Sequence, residues 1–154
     1  MALWQRVSDG VAFNDGCHPA AKFCEENHLP ENAPAMREGI MEKILSIVIP
    51  AYNVEKYLER CLASFEVAEI LERIEVLVIN DGSKDKTAAI AQRYCDKYPG
   101  SYFLYNKENG GHGSGINYGI RYARGKYFKV VDGDDWLNTE ELPAFVELLA
   151  QVDT

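Results

Sequence analysis

From residue 44 onward, short apolar runs alternate with segments whose apolar positions recur every three or four residues. Leu45-Ser-Ile-Val-Ile49 predicts a first strand, ended by Pro50-Ala51-Tyr52-Asn53. Val54, Tyr57, Leu58, Cys61, Leu62 and Phe65 follow at helical spacing. Residues 74–79 predict a second strand, stopped by Asn80-Asp81-Gly82-Ser83, and residues 85–97 a helix with Thr87, Ile90, Ala91 and Tyr94 on one face. Residues 102–105 read as a short third strand. The glycine-dense stretch 109–115 leads into a helix through Tyr118 and Tyr122 that stops at Gly125. Residues 126–131, aromatic and β-branched, predict a fourth strand. A last helix over 139–151 is opened by Asn138, with Glu141 placed to complete a capping box and Pro143 early enough to be tolerated.

Strands alternating with helices at this spacing predict parallel βαβ units with right-handed crossovers. The runs are apolar on both faces, as a sheet covered on both sides requires. The expected fold is therefore α/β, a mostly parallel, Rossmann-like sheet with its four strands in the order 3-2-1-4 and helices on both faces. Ligands of such sheets bind beyond the carboxyl ends of the strands, where the order reverses. The polar punctuation falls there, with Tyr52 and Asn53 after the first strand, Asp81 after the second and Asp132 to Asp135 after the fourth. Three loops distant in sequence thus converge on one crevice.

The chain divides near residue 42. Residues 1–41 carry no sustained period and are broken by Asp9-Gly10, Asn14-Asp15-Gly16, His18-Pro19, Pro30 and Pro34. They read as an irregular N-terminal extension with at most a short helix around Ala20 to Asn27, and Met41-Glu-Lys-Ile-Leu reads like a natural start. Residues 42–154 are the expected folded part. Cys17, His18, Cys24 and His28 do not suggest a zinc set, because the gap between the cysteines matches no usual ligand spacing.

Bulk composition narrows the function. At 154 residues, 47% hydrophobic and 26% charged, the chain has the makeup of one soluble globular domain. A net charge of -8 argues against a nucleic-acid partner, which calls for a basic stripe. No apolar run approaches the roughly 18 residues of a membrane span, and no signal peptide is visible. The four cysteines therefore read as reduced thiols. The expected location is cytoplasmic, with peripheral attachment at the inner membrane face as the alternative.

Asp132-Gly133-Asp134-Asp135-Trp136 is the densest chemical signal. Unpaired carboxylates at a strand end cannot be core filler, and like charges this close repel unless a cation or proton separates them. A hard divalent ion is the simplest remedy, since Mg2+ is usually held by one or two carboxylates plus phosphate oxygens and water. The run suggests a metal–phosphate site. Gly111-His-Gly113-Ser-Gly115 does not make a dinucleotide fingerprint, because Ile116 and Tyr118 stand where the third glycine would fall, and the loop follows the third strand, not the first. A phosphoryl-accepting receiver domain has no support either, for want of a lysine after a late strand.

The stretches 46–53, 55–58, 80–87, 109–111 and 131–136 occur together in the order and spacing of one family. On them, residues 44–151 resemble the nucleotide-sugar-binding half of a family 2 glycosyltransferase with the GT-A fold. The resemblance implies that Pro50, Ala51, Tyr52, Asn53, Glu55, Asp81, Gly111, Asp132 and Gly133 line a nucleotide-sugar site. It implies that Asp134, within the DXD pattern of Asp132 and Asp134, is the first choice to hold Mg2+ or Mn2+, with Asp135 as an alternative ligand. Tyr52 would lie flat against the base. Asp81 would accept a hydrogen bond from a base N–H, which favours uracil and a UDP-sugar, and Asp132 would face the ribose or diphosphate. The metal would bridge the phosphates and stabilise the leaving nucleoside diphosphate. Ser83, Asp85 and Thr87 read as helix-entry residues and Trp136 as packing.

The implied partners are a nucleoside-diphosphate sugar and a saccharide or lipid-linked acceptor, in cell-surface polysaccharide synthesis. Many family members carry an Arg-Asn pair on the helix after the glycine-rich loop; here the pair is Ile116-Asn117, which removes a cationic donor contact that His112 could partly replace. Family 2 enzymes draw their catalytic base and acceptor region from later sequence, so no catalytic residue is assigned. The chain reads as truncated after the DXD motif, with its fourth strand an unpaired edge that invites self-association. Three roles fit these residues: part of an enzyme, a non-catalytic nucleotide-sugar-binding module, or an inactive fragment.

Overall fold

The computed structural model of the protein describes residues 42–152 together with one short strand, β1 (Gln5–Arg6). The helix expected near Ala20 to Asn27, and Cys17, His18, Cys24 and His28, lie outside the described residues. The elements that follow are β2 (Leu45–Ala51), α1 (Leu58–Ala63), β3 (Ile74–Asp81), α2 (Thr87–Lys97), β4 (Tyr102–Lys107), α3 (His112–Tyr122), β5 (Tyr127–Val130) and α4 (Leu142–Gln151).

Four strands are parallel in the order β4-β3-β2-β5, which is the expected 3-2-1-4. The register sets Leu45 opposite Ile74 on one side and Tyr127 on the other, so the order reverses between β2 and β5. The fourth strand is not left open along its whole outer edge, as the sequence suggested. Strand β1 pairs with it antiparallel, Gln5 opposite Phe128 and Arg6 opposite Tyr127. A two-residue strand is too short to show a period, and so left no trace in the pattern.

The strand alternation feeds two cores. Leu45, Ile47, Ile49, Val76 and Val78 face α1, α2 and α4 with Leu58, Leu62, Phe65, Ala91, Leu142 and Val146. On the opposite face Val48, Leu77 and Ile79 meet Tyr118 and Tyr122 of α3. Helix α3 lies very close to that face, since a Cβ at Gly119 would come within 2.3 Å of Val48 Cγ1.

Polar groups are buried where the chain must turn. Glu75, fully buried on β3, accepts from Ser46 Oγ at 2.6 Å and from the Arg124 N–H at 2.6 Å, and pairs with the Arg124 guanidinium at 2.9 Å. Ser46 Oγ in turn accepts from the Gly125 N–H at 2.8 Å. This network ties the α3–β5 turn to the amino ends of β2 and β3, at the end of the sheet away from the acidic run.

Two helix starts differ from expectation. Residues 54–57 form a turn before α1, closed by Leu58 N–H to Val54 O at 2.9 Å. Helix α4 begins at Leu142 with Pro143 in its first turn, and Glu141 makes no side-chain cap. The Asn138 side chain instead accepts from the Glu140 N–H at 3.1 Å, so the capping box is spent on a preceding turn.

Candidate functional site

Because β2, β3, β4 and β5 are parallel, the loops after all four leave the same edge of the sheet. Contacts between these loops close into a ring. After β2, the Asn53 N–H donates to Ser83 Oγ at 3.0 Å, while Asn53 Oδ1 accepts from the Lys84 N–H at 2.9 Å. The Val54 N–H donates to Thr87 Oγ1 and the Glu55 N–H to Asp85 Oδ2, and Glu55 Oε2 accepts from the Lys86 N–H. Asn53 adopts φ +52°, a left-handed conformation that asparagine tolerates better than most residues. Asp85 also accepts from the Thr87 N–H at 2.9 Å, the helix-entry role expected of it. Burial works against the Asp85 carboxylate, but the hydrogen bonds from Thr87 and Glu55 hold it below the usual aspartate range.

Asp81 ends β3 almost completely buried and holds the glycine-rich loop. Lys107 Nζ and the Gly110 N–H both donate to its Oδ1, and the Gly111 N–H donates to Oδ2 at 2.9 Å. Burial would raise this carboxyl; the Lys107 and Gly110–Gly111 donors outweigh it and keep Asp81 below its ordinary range. Gly111, at φ +87°, then turns the chain into α3. At the start of α3, His112 Nε2 lies 2.7 Å from Asp132 Oδ1, which joins the glycine-rich loop to the acidic one. The ring closes at Gly133, where a Cβ would stand 2.9 Å from Val54 Cγ2.

The acidic loop rests on α1. Asp132 O accepts from Cys61 Sγ at 3.7 Å, and Thr139 Oγ1 donates to Ser64 O at 3.1 Å. The Arg60 guanidinium sits 3.3 Å from the centroid of the Trp136 ring, so Trp136 packs as expected, although half of it stays exposed. Above this bed Asp132, Asp134 and Asp135 each offer a carboxylate oxygen, and these oxygens lie within 4.8 Å of one another on the surface. Their field reaches inward. The Cys61 thiol is pushed up to about 12, first by burial and then by Asp135, Asp134 and Asp132.

Every residue expected to line the site therefore falls on one edge of the sheet. Tyr52 is half exposed beside Asn53. Pro50 and Ala51 are buried in β2 and can offer only backbone. Asn53 and Glu55 use their side chains to hold the loop after β3. Sequence reasoning missed Lys107 and Arg60; a lysine two residues past an aromatic strand, and an arginine on the outer side of a short helix, carry no local signal.

Residues 46–154 match the profile of glycosyl transferase family 2. The chain belongs to that family. It is 39% identical over 118 residues to an uncharacterised glycosyltransferase of Rickettsia typhi, a match covering 77% of this chain and 36% of that protein. It is 39% identical over 101 residues to the minor teichoic acid biosynthesis protein GgaB of Bacillus subtilis, covering 65% of this chain and 11% of GgaB. Among solved structures, S. aureus TarS (residues 1–349, in complex with UDP-GlcNAc) superposes with a TM-score of 0.61 at 29% identity, over 70% of this chain and 31% of that one. A mannosyltransferase of Pyrobaculum calidifontis, in complex with GDP-Man and Mn2+, gives 0.61 at 24% identity over 72% and 33% of the two chains, a likeness of fold. The sheet is thus that of GT-A glycosyltransferases. The chain spans about a third or less of the family 2 relatives named here. No described helix is long and apolar enough to cross a membrane.

Proposed function

We propose that this chain forms the donor-binding part of a glycosyltransferase that takes a UDP-linked sugar with the help of a divalent cation. The observation that carries the reading is the convergence of Asp132, Asp134 and Asp135, carboxylate oxygens within 4.8 Å of one another, at the edge where Tyr52 and the glycine-rich loop also open. An all-oxygen donor set of this kind suits Mg2+ or Mn2+, which take carboxylates and phosphate oxygens together. Asp134 and Asp135 are the ligands in this reading. When bound, such an ion neutralises the diphosphate and makes it a better leaving group.

The chain's own residues do the rest. Tyr52 offers a flat surface to the base. Asp132, anchored by His112, turns toward the ribose and diphosphate. Asp81 has three of its roughly four lone-pair directions filled by Lys107, Gly110 and Gly111, leaving one acceptor. A uracil offers one N–H on its pairing edge, whereas a guanine offers two donor groups, so the count favours UDP. The acceptor in this reading is a saccharide or lipid-linked saccharide, and the setting is cell-surface polysaccharide synthesis in the cytoplasm. GgaB, by its name a teichoic acid protein, lends that setting its support.

Calorimetric titration tests the proposal. UDP should bind in the presence of Mn2+ and much more weakly without it, GDP should bind more weakly than UDP, and Asp134→Ala should weaken the metal-dependent binding on the order of tenfold or more. UDP affinity indifferent to both the metal and the substitution removes the reading.

A further inference from the structure

The contact between His112 and Asp132 is the single side-chain hydrogen bond described between the glycine-rich and acidic loops, and no other hydrogen bond of the His112 side chain is described. We infer that His112 is a positioning residue that commits Asp132 to the nucleotide and keeps it out of the cation's ligand set. The inference rests on the donor-binding reading above and deepens it, by deciding which carboxylates hold the metal.

Three carboxylates so close in space could all turn onto one cation. What separates them is that an ionised carboxylate only accepts, so His112 Nε2–H must donate to Asp132 Oδ1, at 2.7 Å. That bond occupies one oxygen of Asp132 and adds a polar partner on the side of the loop facing α3. Nothing similar is described for the Asp134 or Asp135 side chains. Asp132 is also held from behind, through its carbonyl by Cys61 and at its neighbour Gly133 by the close approach of Val54. Its backbone is fixed, and the imidazole selects the direction of its carboxylate. Asp134 and Asp135 are left to the cation, and Asp132 is presented to whatever the glycine-rich loop approaches. His112 begins α3, whose preceding residues Gly110 and Gly111 are anchored on Asp81. The imidazole thus sets Asp132 relative to the base-recognition side of the site, and not merely relative to its own loop.

The sign of one measurement separates this role from the ordinary one. If Asp132 were a metal ligand, His112 would be the outer partner that orients it, and His112→Ala would weaken Mn2+ binding by roughly 10–100-fold. If Asp132 is withheld from the metal, His112→Ala leaves Mn2+ affinity unchanged or up to about fivefold tighter, the scale of an exposed ion pair. UDP binding in saturating Mn2+ should fall at the same time, by about fivefold or more on that scale. His112→Gln, which keeps an N–H near the Nε2 position, should recover most of the UDP affinity. In an Asp132→Asn background His112→Ala should cost UDP binding little further, because the two residues act as one unit.

The experiment is calorimetry on the full chain with MnCl2 alone and with UDP in saturating Mn2+. It covers wild type, His112→Ala, His112→Gln, Asp132→Asn and the His112→Ala/Asp132→Asn double variant, with thermal midpoints confirming that each is folded. Loss of Mn2+ affinity in step with UDP affinity overturns the assignment, as does UDP binding by His112→Ala that equals wild type. A wild-type protein that takes up Mn2+ but no UDP marks the failure of the donor-binding reading itself, and the nucleotide role of His112 falls with it. Wild-type binding with an indifferent His112→Ala marks the failure of this inference alone.

Discussion

Gly119→Ala sets two well-measured effects against each other at one site. In the interior of α3 the change should help, since alanine is favoured over glycine by about 1 kcal/mol in a helix. Here the new Cβ would stand 2.3 Å from Val48 Cγ1, 3.1 Å from Val48 Cγ2 and 3.3 Å from Ile79 Cγ1. Carbon atoms settle at about 3.5–4.0 Å, so α3 must lift by about 1 Å or Val48 must leave its place. Val48 is fully buried and β-branched, with little freedom to do so. Overpacking of this kind costs roughly 1–3 kcal/mol, and a clash this deep belongs at the upper end. The expected net loss is about 2 kcal/mol, or about 1 M in urea midpoint for a slope near 2 kcal/mol/M. Gly113→Ala, on the same helix with nothing within 4 Å of the new Cβ, should be neutral or slightly stabilising. Val48→Ala should relieve part of the Gly119→Ala penalty, so the double variant loses less than the sum. Urea denaturation followed by circular dichroism reads the four variants and wild type. A Gly119→Ala midpoint at or above wild type refutes the close packing of α3 on β2. UDP binding should fall with stability, because Gly110, Gly111 and His112 ride at the front of the same helix.

Other consequences are as direct. Glu75→Ala leaves Ser46, the Arg124 N–H and its guanidinium without their buried partner, and should cost about 2–3 kcal/mol by urea denaturation, tempered because half-exposed Arg124 can reach water. Asp81 and Asp85 have folded-state values below the usual aspartate value of about 3.9, so the stability they contribute is full above that value and is lost as pH falls through the lower folded ones. Asp81→Asn should therefore flatten the acid limb of a stability–pH curve as pH falls below the usual aspartate value of about 3.9, and an unchanged slope would show that Asp81 gains nothing from Lys107 and the glycine loop. Trp136→Ala should cost no more than about 1 kcal/mol, the worth of an exposed cation–π pair, and a larger loss would mean that Trp136 buries more than Arg60's stack.

The fold was legible where its physics is periodic. The strands expected over 45–49, 74–79 and 126–131, and found over 45–51, 74–81 and 127–130, appeared as apolar runs because a sheet covered on both faces has no polar side, and their order followed from placing the topological switch between the first and fourth strands. Strand β1 was not legible, since two residues cannot show an alternation. The start of α4 was misplaced because Asn138 and Glu141 satisfy the pattern of a capping box while the chain uses Asn138 one turn earlier. At the site, the acidic run was visible because buried charge is forbidden and clustered charge is costly. How that loop is held was not visible: it leans on His112, twenty residues away, and on α1 and the residue after it, through Arg60, Cys61 and Ser64. Asp81 could be placed at a strand end by its neighbours, but its burial and its three donors come from a loop almost thirty residues on.

Anomalous diffraction from crystals grown with MnCl2 and UDP tests the metal assignment most directly. One strong manganese peak is expected, bounded by Asp134 and Asp135 and the two phosphates, with Asp132 turned to the ribose and still on His112. A peak ligated by Asp132, or manganese found away from the acidic loop with UDP bound elsewhere, contradicts it.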